Sequence, residues 1–217
     1  MIPALDALAR LRDGNRRFLS DVVSLDTLMS QTRRRALAAG QEPFAIILGC
    51  SDSRVPAEMV FDQGLGDLFV IRVAGNIVAP SQVGSVEFAA SRYGSRLVVV
   101  LGHSNCGAIL ATLEELARPS AEQSPNLRSI VDRIRPSLED LVTPEAKLSS
   151  ETLVRDAVRA NIRTSVHHLR HGSEVLERLV EQEGLLIVGA EYCLESGAVD
   201  FFEGVPDLGV SAGPHAI

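Results

Sequence analysis

The sequence predicts an α/β fold: a central, mainly parallel β-sheet of four to five strands flanked by helices, preceded by an amphipathic N-terminal helical arm. Two observations carry this. Four short apolar runs, FAIILG (44–49), LFVIRV (68–73), LVVVLG (97–102) and LLIVGA (185–190), lack clean apolar–polar alternation, as expected of strands covered on both faces. Helical periodicities lie between them, and strands that alternate with helices assemble a parallel sheet. The chain divides into the arm, residues 1–40, and one α/β domain, residues 41–217.

Each element has its own signal. In residues 3–19, Ala4, Leu8, Leu11, Asn15 and Phe18 step by three and four with charges between them, which is the spacing of a helix face. A second helical pattern fills 25–39 and stops at Gly40. Residues 82–93 and 105–117 read as helices after the second and third strands. The Pro- and Ser-rich stretch 118–126 reads as a loop. Residues 151–171 carry Val154, Val158, Ile162, Val166 and Leu169 on one face, with serines before and Gly172 after. A last helix, 174–183, ends at Gly184.

Composition narrows the function. The chain has 217 residues, 46% of them apolar, enough for one full core. A formal net charge of -7 without a long basic run argues against nucleic acid as a partner. The short cluster Arg33, Arg34 and Arg35 reads as a solvated helix face. No uninterrupted apolar run reaches the about 18 residues that a membrane span needs, so none is expected. The N-terminus has no apolar secretory core, so a cytoplasmic protein is expected. The 3 cysteines are widely spaced and odd in number, which favours metal binding or catalysis over a disulfide framework.

The chemistry concentrates at two strand ends. GCSDSR (49–54) closes the first strand and GHSNC (102–106) closes the third. Ligands in parallel α/β sheets bind beyond the carboxyl ends of strands, where strand order reverses. If the first and third strands are neighbours, Cys50, Asp52, Arg54, His103 and Cys106 meet. Two thiolates and an imidazole make a zinc set, one ion per chain, with His103 and Cys106 presented from a single turn. Three protein ligands leave a fourth position for water, whose pKa zinc lowers from 15.7 to roughly 7. Asp52 is placed to accept a hydrogen bond from that water, and Arg54 to keep Asp52 ionised. Cys-x-x-Cys redox chemistry is absent, and a phosphatase-type loop would need a longer span between Cys50 and its arginine.

CSDSR followed by GHSNCG resembles the β-class carbonic anhydrases. VPAEMVFDQGLGDLFVIRVAGN (55–76), GSVEFA (84–89) and LARLRDGNRRF near the N-terminus are also similar to that family. The resemblance implies that Cys50, His103 and Cys106 bind zinc, that Asp52 and Arg54 form a catalytic dyad, and that carbon dioxide is hydrated reversibly to bicarbonate by a homodimer or tetramer. It also implies a substrate pocket of Gln41, reaching across a dimer, with Phe69, Ala74, Phe88 and Gly107. In one branch an allosteric bicarbonate site uses a tryptophan, an arginine and a tyrosine. Arg72 and Tyr192 match the last two, while Ile47 stands at the tryptophan position. In a closed form of the site, Asp52 itself would ligate zinc in place of water.

Other readings stand beside this one. The same fold serves hydrolysis of carbon disulfide or carbonyl sulfide, and a closed Cys-Asp-His-Cys zinc site would make a non-catalytic module. His167, His168 and His171 lie near a helix C-terminus, where positive charge is favoured, and read as surface residues. Cys193 reads as a buried, unreactive thiol. Asp62 and Asp67, which flank a glycine-rich turn, read as turn and cap residues.

Overall fold

A computed structural model describes residues 2–22, 31–119, 124–142 and 151–207. Its helices are α1 (Ala4–Leu19), α2 (Gln31–Leu37), α3 (Ala57–Val60), α4 (Pro80–Arg92), α5 (Gly107–Ala117), α6 (Pro125–Ile134), α7 (Glu151–His171) and α8 (Glu174–Gln182). Its strands are β1 (Ala45–Gly49), β2 (Leu68–Arg72), β3 (Leu97–His103), β4 (Leu186–Tyr192) and β5 (Val199–Glu203). They form one sheet in the order β2-β1-β3-β4-β5. The first four run parallel and β5 is antiparallel to β4.

The sheet buries both faces, which explains the unbroken apolar runs. On one face Ile46, Leu48, Val98, Val100 and Ile187 pack against α4, α5, α7 and α8 through residues such as Val86, Leu113, Ile162 and Leu176. On the other, Ile47, Val99, Leu101 and Val188 meet Ala7, Leu8 and Leu11 of α1 and Val60 of α3. The N-terminal helix therefore packs on its own sheet. Asn15 fastens it there: its side-chain amide donates to the carbonyls of Val60 (3.1 Å) and Gly197 (2.9 Å), and its oxygen accepts from Val199 N–H (3.0 Å). α7 comes very close to the sheet, because a Cβ at Gly102 or Gly189 would fall 2.6–2.7 Å from Ile162.

Beyond end shifts of one or two residues and the short α3, which carried no periodicity, the differences from the sequence reading are these. Of the helix expected over 25–39, Gln31–Leu37 is helical, and 23–30 lie outside the described residues. The expected loop 118–126 gives way at Pro125 to α6, which Ser124 caps by accepting from Leu127 N–H (3.2 Å). Residues 120–123 lie outside the described residues. The fifth strand, VDFFE, is only partly buried at the sheet edge, so it carries no apolar run.

β1 and β3 are adjacent, with Ile46–Gly49 paired to Val98–Leu101. β2 lies on the outer side of β1, and β4 on the outer side of β3. The chain leaves β1 and β3 in opposite directions, and that divergence opens a crevice beyond their carboxyl ends.

Candidate metal centre

The crevice gathers three potential ligands. Cys50 follows β1, His103 is the last residue of β3, and Cys106 is the N-cap residue of α5. Their ligand atoms all lie within 4.8 Å of one another, the two sulfurs are 3.9 Å apart, and all three residues are buried. Between the two ligands on the 103–106 turn, Asn105 takes a left-handed conformation (φ 53°) that asparagine tolerates well.

The imidazole tautomer follows from its neighbour. His103 Nδ1 is 2.9 Å from the Ser104 carbonyl, which can only accept, so Nδ1 carries the proton and Nε2 presents its lone pair. Nε2 is buried without a hydrogen-bond partner, an arrangement proteins avoid unless another group engages the atom. An unpartnered imidazole nitrogen facing two thiol sulfurs fits a borderline-soft divalent cation such as zinc.

The electrostatics favour a cation. The hydrogen bond from Cys106 outweighs burial at Cys50 and, with His103 and the Gly75 N–H, lowers the Cys50 thiol to about 4. Cys106 is pushed up, first because it donates to Cys50 and then by burial. Burial lowers the His103 pKa, but the neighbouring Cys50 thiolate more than offsets this and the net shift is upward.

Asp52 lies at the lip of the site. Arg54 donates to it from Nε (2.9 Å to Oδ1), from Nη2 (2.8 Å to Oδ2) and from the backbone N–H (3.0 Å to Oδ1). Those bonds, the guanidinium above all, hold the carboxyl well below the usual carboxylate range. Asp52 Oδ2 is 3.8 Å from His103 Nε2. Arg72, at the end of β2, donates to the carbonyls of Cys50 (3.0 Å) and Asp52 (2.5 Å) and so ties the Cys50–Asp52 segment to the neighbouring strand.

The structure thus brings Cys50, Asp52, Arg54, His103 and Cys106 together. Gly107 follows directly as the first residue of α5, with open space where a Cβ would be. Phe69 packs against the same core cluster that contains Cys50 and Cys106, and it meets Phe88 (6.3 Å) and Tyr93 (6.0 Å) ring to ring. Ala74 opens the short turn after β2. Gln41 stands apart, before the amino end of β1, where it donates to the Tyr93 hydroxyl (3.0 Å). Tyr192 is paired with His103 across β3 and β4, while Arg72 lies at the end of β2, on the far side of β1.

Sequence reasoning missed the Gly75 N–H, which donates to Cys50 Sγ (3.4 Å). Its signal was the Gly-Asn pair just beyond the second strand. Cys193 is half-buried rather than buried and lines a cavity of about 790 Å³ beside Arg54, Ser104 and Asn105. His167, His168 and His171 are exposed, as expected. Asp67 accepts from Gly64 N–H (2.9 Å) within its turn. Among the described residues, no helix is long and apolar enough to cross a membrane.

A carbonic anhydrase family model matches residues 45–199, the span that holds all five site residues. A carbonic anhydrase of Mycolicibacterium smegmatis is 37% identical over 199 residues, covering 92% of this chain and 93% of that protein. Carbonic anhydrase 2 of Mycobacterium tuberculosis is 35% identical, with the same 92% and 93% coverage. Among solved structures, the β-carbonic anhydrase CcaA matches with a TM-score of 0.72 at 25% identity, over 92% of this chain and 97% of that one. CafA of Aspergillus fumigatus shares the fold, with a TM-score of 0.69 at 24% identity over 93% and 91% of the two chains. The chain belongs to the β-class carbonic anhydrase family.

Proposed function

We propose that this enzyme hydrates carbon dioxide reversibly to bicarbonate and a proton, using one zinc ion per chain held by Cys50, His103 and Cys106. The observation that carries the ligand assignment is the buried, unpartnered Nε2 of His103 facing the sulfurs of Cys50 and Cys106. When bound, zinc supplies Lewis-acid activation of water near neutral pH. Asp52, ionised and pinned by Arg54, accepts a hydrogen bond from the attacking water and sets its direction. Water adds to the carbon of carbon dioxide, its surplus proton leaves to buffer, and bicarbonate departs. Arg54 and Arg72 hold the Asp52 segment still through the cycle. The three hydrogen bonds from Arg54 also oppose a closed site in which Asp52 turns onto the metal.

Ala74 and Gly107 line the substrate pocket from the chain that holds the metal, and the aromatic pair Phe69 and Phe88, which packs with Tyr93 beside Gln41 toward the amino end of β1, completes it together with Gln41 from a second copy of the chain. Two features support this. Phe88 is half exposed. Gln41 and Cys50 lie beyond opposite ends of β1, which at about 3.3 Å per residue separates them by ~16 Å or more. We therefore expect a homodimer or tetramer. Bicarbonate should regulate the enzyme only weakly. Ile47, fully buried, offers no indole donor, and the guanidinium of Arg72 is already engaged by backbone carbonyls.

A stopped-flow hydration assay tests the proposal. The zinc-loaded protein should hydrate carbon dioxide and be inhibited by a sulfonamide, and Cys106→Ala should lose both zinc and activity. A zinc-replete protein with no hydration activity would refute it.

A further inference from the structure

We propose that Asn161 and Ser165, on the buried face of α7, are positioning residues of the metal centre. They hold the turn after β2 so that the Gly75 N–H stays on the sulfur of Cys50. The inference rests on the reading of Cys50 as a zinc ligand. The turn takes an uncommon path: Gly75 (φ 68°) and Asn76 (φ 43°) are both left-handed, a conformation non-glycine residues adopt only with support. Gly75 has no room for a side chain, since a Cβ would fall 2.8 Å from Ile134 Cδ1 and 3.1 Å from Ala108 Cβ. From this position its N–H donates to Cys50 Sγ at 3.4 Å.

The two carbonyls of the turn are gripped from α7. Asn161 Nδ2 donates to Gly75 O (2.8 Å) and Ser165 Oγ donates to Asn76 O (3.0 Å). Asn161 and Ser165 are one helical turn apart and only 2% and 3% exposed. They sit among Val158, Ile162 and Val166, which pack in the main core. A buried amide or hydroxyl costs free energy unless it is hydrogen-bonded, so the presence of asparagine and serine on this face calls for a polar task. Satisfying two buried carbonyls would be a purely structural task. The Gly75 N–H extends it, because one and two peptide units before the carbonyls that α7 holds, the same turn draws charge from a ligand sulfur. Groups that orient and tune a metal ligand from behind typically change metal affinity or activity by roughly 10–100-fold when removed.

The full-length protein and its Asn161→Ala, Ser165→Ala and Ser165→Thr variants can be loaded with zinc and mixed with an excess of chromogenic chelator. Cobalt-loaded samples would be read by the sulfur-to-cobalt charge-transfer band. Asn161→Ala and Ser165→Ala should release zinc at least about 10-fold faster and shift the band to longer wavelength, because the sulfur loses a donor. Ser165→Thr keeps the hydroxyl and should restore both. Wild-type release rates and an unchanged band in the two alanine variants would overturn the proposal, even if their melting temperatures fall. Should Asn161→Ala not fold, the smaller Ser165→Ala truncation decides alone. Retention of zinc by Cys50→Ala would instead overturn the metal-centre reading, and this inference with it.

Discussion

Asp52 Oδ2 lies 3.8 Å from His103 Nε2 while its carboxylate accepts three hydrogen bonds from Arg54. The carboxylate is thus next to the metal centre yet turned toward the arginine. In the proposed reading, one residue pair would orient the nucleophile, and a different set, two sulfurs and one imidazole, would retain the metal.

That separation makes the two roles independently removable. Asp52→Ala or Arg54→Ala should keep the fold and the zinc and lose about 100-fold or more in hydration rate, the range for a positioned acid–base partner. Zinc content by elemental analysis and turnover by stopped flow read the two quantities on the same sample. Wild-type turnover in either variant would reduce the dyad to a structural contact.

Zinc affinity should rise with pH. Cys50 is already a thiolate above about 4, but Cys106 is pushed up and holds its proton through the neutral range. His103 is also raised, because its burial is more than offset by the neighbouring Cys50 thiolate, so it binds a proton more readily than an ordinary imidazole. The metal-free protein therefore binds more protons than the complex, and the state that has released them gains as pH rises. Affinity should climb about tenfold per pH unit from Cys106 alone, more steeply where His103 is also protonated. Proton release measured with an indicator during zinc addition checks the count. Affinity that does not change with pH would contradict the assigned protonation states.

Asn15 is a stability element rather than a site residue. Asn15→Ala leaves Val60 O, Gly197 O and Val199 N–H without their side-chain partner and should destabilise the zinc-loaded protein by about 2–4 kcal/mol. Chemical denaturation measures the loss. A change below about 0.5 kcal/mol, typical of an uninvolved surface site, would mean that α1 is not held to the sheet through this residue.

Gln41 tests the subunit boundary. Gln41→Ala and Asp52→Ala should each be impaired alone. Co-expressed, they should recover about a quarter of the wild-type sites, because mixed dimers rebuild one complete site of two. Activity no greater than that of the separate variants, or an active monomer by light scattering, would place the whole site within one chain.

Much of this was legible in the sequence, for identifiable reasons. The strands announced themselves because both faces of the sheet are covered, so Ile46, Ile47 and Leu48 are all buried. The site was legible because Cys50 and His103 lie at the ends of such strands, and only the adjacency of β1 and β3 had to be supplied. α6 was obscured by its Pro-Ser surroundings, although Ser124 followed by Pro125 is a helix-start signal. β5 was not read because an edge strand needs no apolar run. Arg72 was read only by resemblance, as the arginine of an allosteric bicarbonate site, whereas in the structure it donates to two backbone carbonyls, and backbone acceptors leave no trace in a sequence. For the same reason, nothing in the sequence singled out Asn161 and Ser165 on α7.

The central claim is that Cys50, His103 and Cys106 hold the one zinc ion on which hydration depends. The most direct measurement is a titration of zinc into the metal-free enzyme, with carbon dioxide hydration followed by stopped flow at each addition. Activity should start near zero, rise in proportion to bound zinc and level off at one zinc per chain. Hydration that persists without metal, or a protein that fills with one zinc per chain and stays inactive, would contradict the claim.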